Sequence, residues 1–309
     1  MTEFIHKPVL LNECVEGLQI KPNGVYVDGT LGGGGHAAVI AGQIEEPGLL
    51  IGIDRDGDAI SAGEKRLSAL NAPFILVRDA HENIRQVLHD LSIPAVDGFL
   101  LDLGVSSYQL DAPERGFSYR YDAPLDMRMD DRSGLTAYDI VNEYPEKKLA
   151  GIIKEYGEER YARRIARSLC SMRPIRTTFE LVQIIAGAVP SKPFAAGHPA
   201  ARTFQAIRIE VNGELIGLAQ TIEDMAKLLK PGGRICVVSF HSLEDRIVKQ
   251  TFRYLANPCR CPRDIPYCVC GKEPLLKIIT KKPVIPGLEE IEENPRAHSA
   301  KLRIVEGIV

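Results

Sequence analysis

The sequence predicts an α/β fold built on a mostly parallel, doubly wound sheet and interrupted by a helical inserted domain. Short β-branched runs alternate with amphipathic stretches over the first hundred residues. That rhythm is lost after Gly104, and a buried-strand run resumes at Arg234. Alternation of this kind is the mark of βαβ units feeding a parallel sheet.

The elements follow in order. Strands are expected at Val25–Thr30, Leu49–Asp54, Phe74–Arg78 and Gly98–Leu103, with helices near His36–Gln43, Gly57–Leu70 and Glu82–Leu91. Four strands with three crossovers make a doubly wound half. Residues Asp111–Gly134 are turn-rich, after which Glu158–Met172 and Thr177–Val189 carry helical period. A long amphipathic helix, Asn212–Leu229, leads into the turn Lys230-Pro-Gly-Gly233, and Arg234–Phe240 reads as the next strand. Asn257–Pro295 is loop-rich and holds the clustered cysteines, and Lys301–Val305 closes the sheet. The chain divides into a discontinuous ligand-binding domain, 1–106 with 212–309, and an inserted helical substrate-recognition domain, 107–211.

Bulk properties exclude several classes. A chain of 309 residues with 45% hydrophobic and 26% charged residues has the material for a large core and no sign of disorder. Seven cysteines, an odd number, argue against a secreted disulfide framework. No basic leader precedes an apolar stretch and no run approaches about 18 apolar residues, so a cytoplasmic protein without a membrane partner is expected. A net charge of −3 excludes indiscriminate coating of nucleic acid. Between Arg160 and Arg208, however, nine basic residues face one acid, a local balance of +8 that suits an anion-binding surface.

A glycine-rich turn, Asp28-Gly-Thr-Leu-Gly-Gly-Gly-Gly-His36, follows the first strand and opens a helix, where backbone amides can approach a ligand. Asp54 ends the second strand 20 residues after Gly34, as an acceptor for ribose hydroxyls would. Asp28, Asp79 and Asp102 end the other three strands. Such a rim repels a pyrophosphate and attracts the sulfonium and ammonium of S-adenosylmethionine, which favours a methyl donor over a dinucleotide. One Asp alone is only a turn or cap residue; the set of four carries the argument.

These residues resemble a known family. The glycine turn, Leu101-Asp-Leu-Gly-Val-Ser-Ser107 and Ser239-Phe-His-Ser-Leu-Glu-Asp-Arg246 are similar to the bacterial RsmH (MraW) methyltransferases. Arg115-Gly-Phe-Ser118, Pro124–Met129, Tyr156-Gly-Glu-Glu-Arg160, Thr203–Arg208 and Asn294-Pro-Arg296 resemble family motifs in the same order. The resemblance implies a Rossmann-like class I methyltransferase with a helical insertion. It also implies transfer of a methyl group from S-adenosylmethionine to N4 of a cytidine in the decoding region of 16S ribosomal RNA, with the small ribosomal subunit as partner. It implies Gly34, Gly35, His36, Asp54, His81, Asp102 and Gln109 as cofactor-binding residues. The chain departs from the family pattern at His81, Tyr108 and His298, where Phe, Pro and Arg are usual. A noncatalytic RNA-binding assembly factor and a dinucleotide-dependent oxidoreductase remain as alternatives on the same fold.

The amine of cytosine is a weak nucleophile, so the enzyme must orient it and then accept a proton. Candidates are Asp102 with Ser106 or Ser107, and His241, Glu244 or Asp245 from the loop after the Arg234–Phe240 strand. The plainer reading of that loop is a capped helix start with Ser242 as N-cap. Arg160, Arg163, Arg164 and Arg167 share a face if a helix starts near Glu158; with Arg202 and Arg208 they are candidate RNA contacts. Phe117, Tyr119 and Tyr121 are candidates to stack on a base or are core residues. Cys259-x-Cys261 and Cys268-x-Cys270 suit a structural zinc, a redox-sensitive site or four reduced thiols. Oligomeric state is open.

Overall fold

In the computed structural model, which describes residues 8–70, 72–190, 198–262, 267 and 269–309, the chain enters through helix α1 (Leu11–Leu18). It then alternates β1 (Val25–Asp28), α2 (Gly35–Ala41), β2 (Leu49–Ile53), α3 (Gly57–Leu67), β3 (Phe74–Val77), α4 (Ile84–Asp90) and β4 (Val96–Asp102). Helices follow: α5 (Ser107–Asp111), α6 (Ala137–Glu143), α7 (Glu146–Glu155), α8 (Ala162–Ser171), α9 (Thr178–Ala188) and α10 (Ala201–Asn212). The last part is α11 (Leu218–Leu228), β5 (Leu229–Ser239), α12 (Ser242–Ala256), β6 (Leu276–Ile278), α13 (Leu288–Glu293) and β7 (Lys301–Gly307).

The strands form one sheet in the order β3-β2-β1-β4-β5-β7-β6. β1 to β5 pair in parallel, while β7 runs antiparallel between β5 and β6. Successive residues of a strand point to opposite faces. Tyr26 and Leu50 therefore join the apolar cluster that includes α1 and α2, whereas Val27 and Ile51 join the cluster under α4, α11 and α12. Burial on both faces is why these strands read as continuous apolar runs. The strand order reverses between β1 and β4, and a crevice for ligand opens at such a point, beyond the carboxyl ends of the strands.

The chain separates into two compact units, 1–104 with 216–309, and 105–215. The first holds the sheet. The second has its own apolar core, in which Ile140, Val141, Leu149, Ile153, Ile165, Leu169, Leu181 and Ile207 are buried. Among the described residues no helix is long and apolar enough to cross a membrane.

Four local expectations are corrected. The helix expected over Asn212–Leu229 is shorter, α11 alone: α10 ends at Asn212, and Gly213 and Gly217 adopt left-handed conformations (φ 61° and 82°) that end α10 and start α11. The helix expected from Glu158 begins at Ala162, because Glu158 is itself left-handed (φ 46°) and the Glu159 carboxylate accepts the Tyr161 N–H at 2.9 Å. The turn at Lys230–Gly233 lies inside β5 as a bulge: Leu229 pairs with Val96 and Arg234 with Gly98, so four residues face Asp97 alone. The Asp97 carboxylate holds the bulge by accepting from Lys230, Lys21 and the Val25 N–H. The N-cap of α12 is His241 rather than Ser242, with Glu244 completing a capping box. β6 and α13 are too short for sequence periodicity to distinguish from loop.

Candidate active site

In the first unit, Asp28 ends β1, Asp54 follows β2, Asp79 follows β3 and Asp102 ends β4. The glycine turn joins β1 to α2, with Gly34 as a left-handed N-cap (φ 70°). A Cβ on Gly34 would lie 3.2 Å from the Gly63 backbone, whereas a Cβ on Gly33 would meet nothing within 4 Å. The turn is thus closed on its α3 side and open at Gly33. Gly35 begins α2 against Pro8, which a Cβ there would strike at 2.4 Å.

Asp102 is the chemically distinctive group. Its N–H donates to the Thr30 hydroxyl at 2.6 Å, which ties the end of β4 to the glycine turn. Its Oδ1 is buried with no hydrogen-bond partner. Its Oδ2 lies 3.7 Å from His36 Nδ1, and His36 Nε2 lies 3.1 Å from the Val9 carbonyl oxygen, which fixes the ring. Burial, followed by the charges of Asp28 and Glu244, holds the Asp102 carboxyl well above the usual carboxylate range. Burial likewise raises Asp28 to about 7, against the Thr30 N–H that its Oδ1 accepts at 3.1 Å.

Asp54 accepts the Gly32 N–H at 2.8 Å on Oδ2 and the Asp56 N–H at 2.9 Å on Oδ1; burial still raises its pKa. Each carboxylate oxygen retains a second lone pair for a hydroxyl donor. His81 is buried at the start of a 3-10 turn, its Nδ1 has no hydrogen-bond partner, and burial lowers its pKa. The ring is held toward its neutral form, and its Nδ1 lies 3.5 Å from Glu82 Oε2. The orphaned buried oxygen of Asp102 and an open glycine turn fit a polar, cationic ligand.

The loop after β5 lies beside β4, since Asp102 pairs with Val238. Glu244 is buried, and its Oε2 accepts the N–H groups of Phe240 and His241 at 2.9 and 3.2 Å. His241 Nε2 lies 3.1 Å from Glu244 Oε1 without hydrogen-bond geometry. Asp245 faces β7 instead. Burial would raise its carboxyl, but Arg303 at 2.6 Å and Lys301 at 3.5 Å outweigh burial and hold it low. That pairing occupies Asp245 structurally.

In the second unit Ser106 and Gln109 form the capping box of α5: the Gln109 N–H donates to Ser106 Oγ, and Gln109 Oε1 accepts the Ser106 N–H. Ser107 is the first residue of α5. Arg163, Arg164 and Arg167 are exposed on α8, opposite buried Ile165, Ala166 and Leu169. Arg160 precedes that helix and stacks over Tyr161. Arg202 is exposed, 3.9 Å from Glu159, whereas Arg208 is bound by Glu214 through two contacts of 2.8 Å. Phe117 is buried, and Tyr119 stacks on His198 with ring centroids 4.2 Å apart; Tyr121 is exposed. Cys259, Cys261 and Cys270 place their Sγ atoms within 4.8 Å of one another, while Cys268 lies outside the described residues.

Sequence reasoning missed Thr30 and Val9. Thr30 sits inside the glycine motif, where a hydroxyl among glycines is a visible signal; Val9 acts through its carbonyl, which no side-chain pattern reveals.

Comparison with known proteins adds independent observations. A protein of Carboxydothermus hydrogenoformans named ribosomal RNA small subunit methyltransferase H is 55% identical over 307 residues, 98% of each chain. One of the same name from Clostridioides difficile is 53% identical over 310 residues, covering 99% of this chain and 100% of its own. Among solved structures, an rRNA methylase from Streptococcus thermophilus aligns over 99% of both chains at 12% identity and a TM-score of 0.42, a distant likeness. Residues 3–308 match a single family over nearly the whole sequence. The chain belongs to the MraW methylase family.

Proposed function

We propose that this protein is an S-adenosylmethionine-dependent methyltransferase that modifies N4 of a cytidine in the decoding region of 16S ribosomal RNA, within the small ribosomal subunit in the cytoplasm. Near-full-length identity of 53–55% to relatives named for methylation of small-subunit ribosomal RNA carries the substrate class. The orphaned carboxylate oxygen of Asp102, on the strand beside the glycine turn, supports the reaction centre.

S-adenosylmethionine supplies an electrophilic methyl group on a sulfonium. Gly34 and Gly35 would line its turn with His36, Asp54 would accept from ribose hydroxyls, and the His81 ring would face the base. Burial holds protons on Asp28 and Asp102, and a cationic ligand would favour their ionised forms and pair with them. Asp102 Oδ1 accepts an N–H of the cytosine amine, turns its lone pair out of the ring plane, and takes up a proton after transfer. Holding reactants in this manner supplies roughly 7 to 11 kcal/mol of a barrier. His241 and Glu244 shape the adjoining loop, and burial, then Asp28, then Glu244 raise the basicity of Asp102. Ser106 and Gln109 act by fixing the start of α5, and Ser107 follows on the same turn. In this reading unit 1 is the methyltransferase domain, and the inserted unit recognises RNA.

The decisive test is transfer of labelled methyl to small subunits lacking the modification, followed by nucleoside analysis. Label in N4-methylcytidine is the expected result. Label in another nucleoside removes the substrate assignment, and no transfer despite cofactor binding favours a noncatalytic assembly role.

Arg163, Arg164, Arg167 and Arg202 are the arginines placed to meet phosphate, with Arg160 beside them; Arg208 holds Glu214 instead. Replacing the three on α8 with Ala is expected to reduce the salt dependence of RNA binding by roughly 0.7 log units per contact, about 2 in all. An unchanged slope in a salt titration would remove α8 from the interface.

A further inference from the structure

We propose that Cys259, Cys261 and Cys270 bind one zinc ion that pins the loop between α12 and β6. The three Sγ atoms lie within 4.8 Å of one another. Thiolates about 2.3 Å from a tetrahedral zinc are about 3.8 Å apart, so closing onto an ion needs movements of at most about 1 Å. The Val269 N–H already donates to Cys261 Sγ at 3.4 Å, the backbone support that a metal thiolate receives.

Packing does not account for the cluster. Cysteine in a reduced protein is ordinarily a buried apolar residue, as Cys14 and Cys236 are, yet Cys259 and Cys270 are exposed. Two apolar side chains of the same loop point outward: Tyr267 is 75% exposed and Val269 68%. Among the described residues between Ala256 and Leu276 no α-helix or strand holds the cysteines in place. A cross-link supplies the order that burial does not. Pro258 and Pro262 flank the first two thiols and limit the conformations lost on closure.

The chemistry balances without a redox step. Three thiols release protons to water as three Zn–S bonds form and a water fills the fourth tetrahedral position, while Arg260, between Cys259 and Cys261 in the chain, offsets the resulting negative charge. Zinc suits this set because soft thiolates favour it over magnesium or calcium. None of the residues placed at the candidate active site takes part, and the role proposed for the ion is to order this loop.

The test uses the full chain, purified reduced and without metal-affinity steps, then loaded with zinc and freed of unbound ion. Elemental analysis is expected to find one zinc per chain, and cobalt(II) in its place should give a thiolate-to-metal charge-transfer band. The Cys261→Ser/Cys270→Ser variant should weaken metal affinity by more than about tenfold, while Cys170→Ser, in the inserted unit, retains it. The variant's fold is checked by its cofactor-induced thermal shift. The proposal is overturned by a wild-type chain that retains no zinc, by cobalt bound without the charge-transfer band, or by metal retained in the double variant. A disulfide between these cysteines under reducing purification would overturn it as well.

Discussion

Asp102→Ala is expected to lower methyl transfer by two to four orders of magnitude, the range by which a positioned proton acceptor contributes. The fold should survive, because the backbone of residue 102 keeps both its pairing with Val238 and its N–H to Thr30. Asp102→Asn sharpens the result. It preserves shape and an oxygen acceptor but can neither take up a proton nor oppose a cation. Its binding of S-adenosylmethionine should therefore weaken more than its binding of S-adenosylhomocysteine, whose sulfur is uncharged. Single-turnover transfer and the thermal shift caused by each ligand measure the two effects. Near-normal turnover by the alanine variant would sink the assignment.

The second large effect concerns Asp28 and pH. Its folded pKa of about 7 stands above the ordinary 3.8, so the folded chain binds this proton more tightly than the unfolded chain. Stability contributed by the proton is present at low pH and is lost as pH rises from about 4 to about 7. At about 1.4 kcal/mol per unit, ionising this buried carboxyl costs up to about 4 kcal/mol. Asp28→Asn stays neutral and keeps an acceptor for the Thr30 N–H. The variant should gain stability over wild type between pH 4 and 7, with the gain level above pH 7, in denaturant unfolding without cofactor. A difference that does not vary with pH would refute the raised pKa. Cationic cofactor should reverse the order by favouring the ionised acid.

The sheet was legible because its strands are apolar on both faces and separated by helices of strong period; β1 to β4 and their acids could be placed from sequence. What escaped depended on backbone conformation. Left-handed residues at Glu158, Gly213 and Gly217 break helices whose side-chain period runs on, and the bulge at Lys230–Gly233 depends on a carboxylate more than 130 residues away. The acids of the site were visible as a set, but their division of labour was not. Asp245 and Glu244 are neighbours in sequence, yet one is neutralised by Arg303 on the last strand while the other is buried and raises the pKa of Asp102. Similarly, Arg208 and Arg163 are equal in charge, and only Arg208 has a carboxylate partner at 2.8 Å.

The pairing of β4 with β5 has a consequence for how the protein is made. Phe99 pairs with Ile235, so when β4 leaves the ribosome its partner strand has not been synthesised. Until then the nascent sheet ends in an unpaired, apolar strand, the form most prone to join another chain. The inserted helices, by contrast, pack mainly against sequence neighbours such as α7 on α8 and α8 on α9, contacts that close quickly. Translation thus delivers a finished insertion ahead of a half-built sheet, and the interval between β4 and β5 is when a chaperone has most to protect.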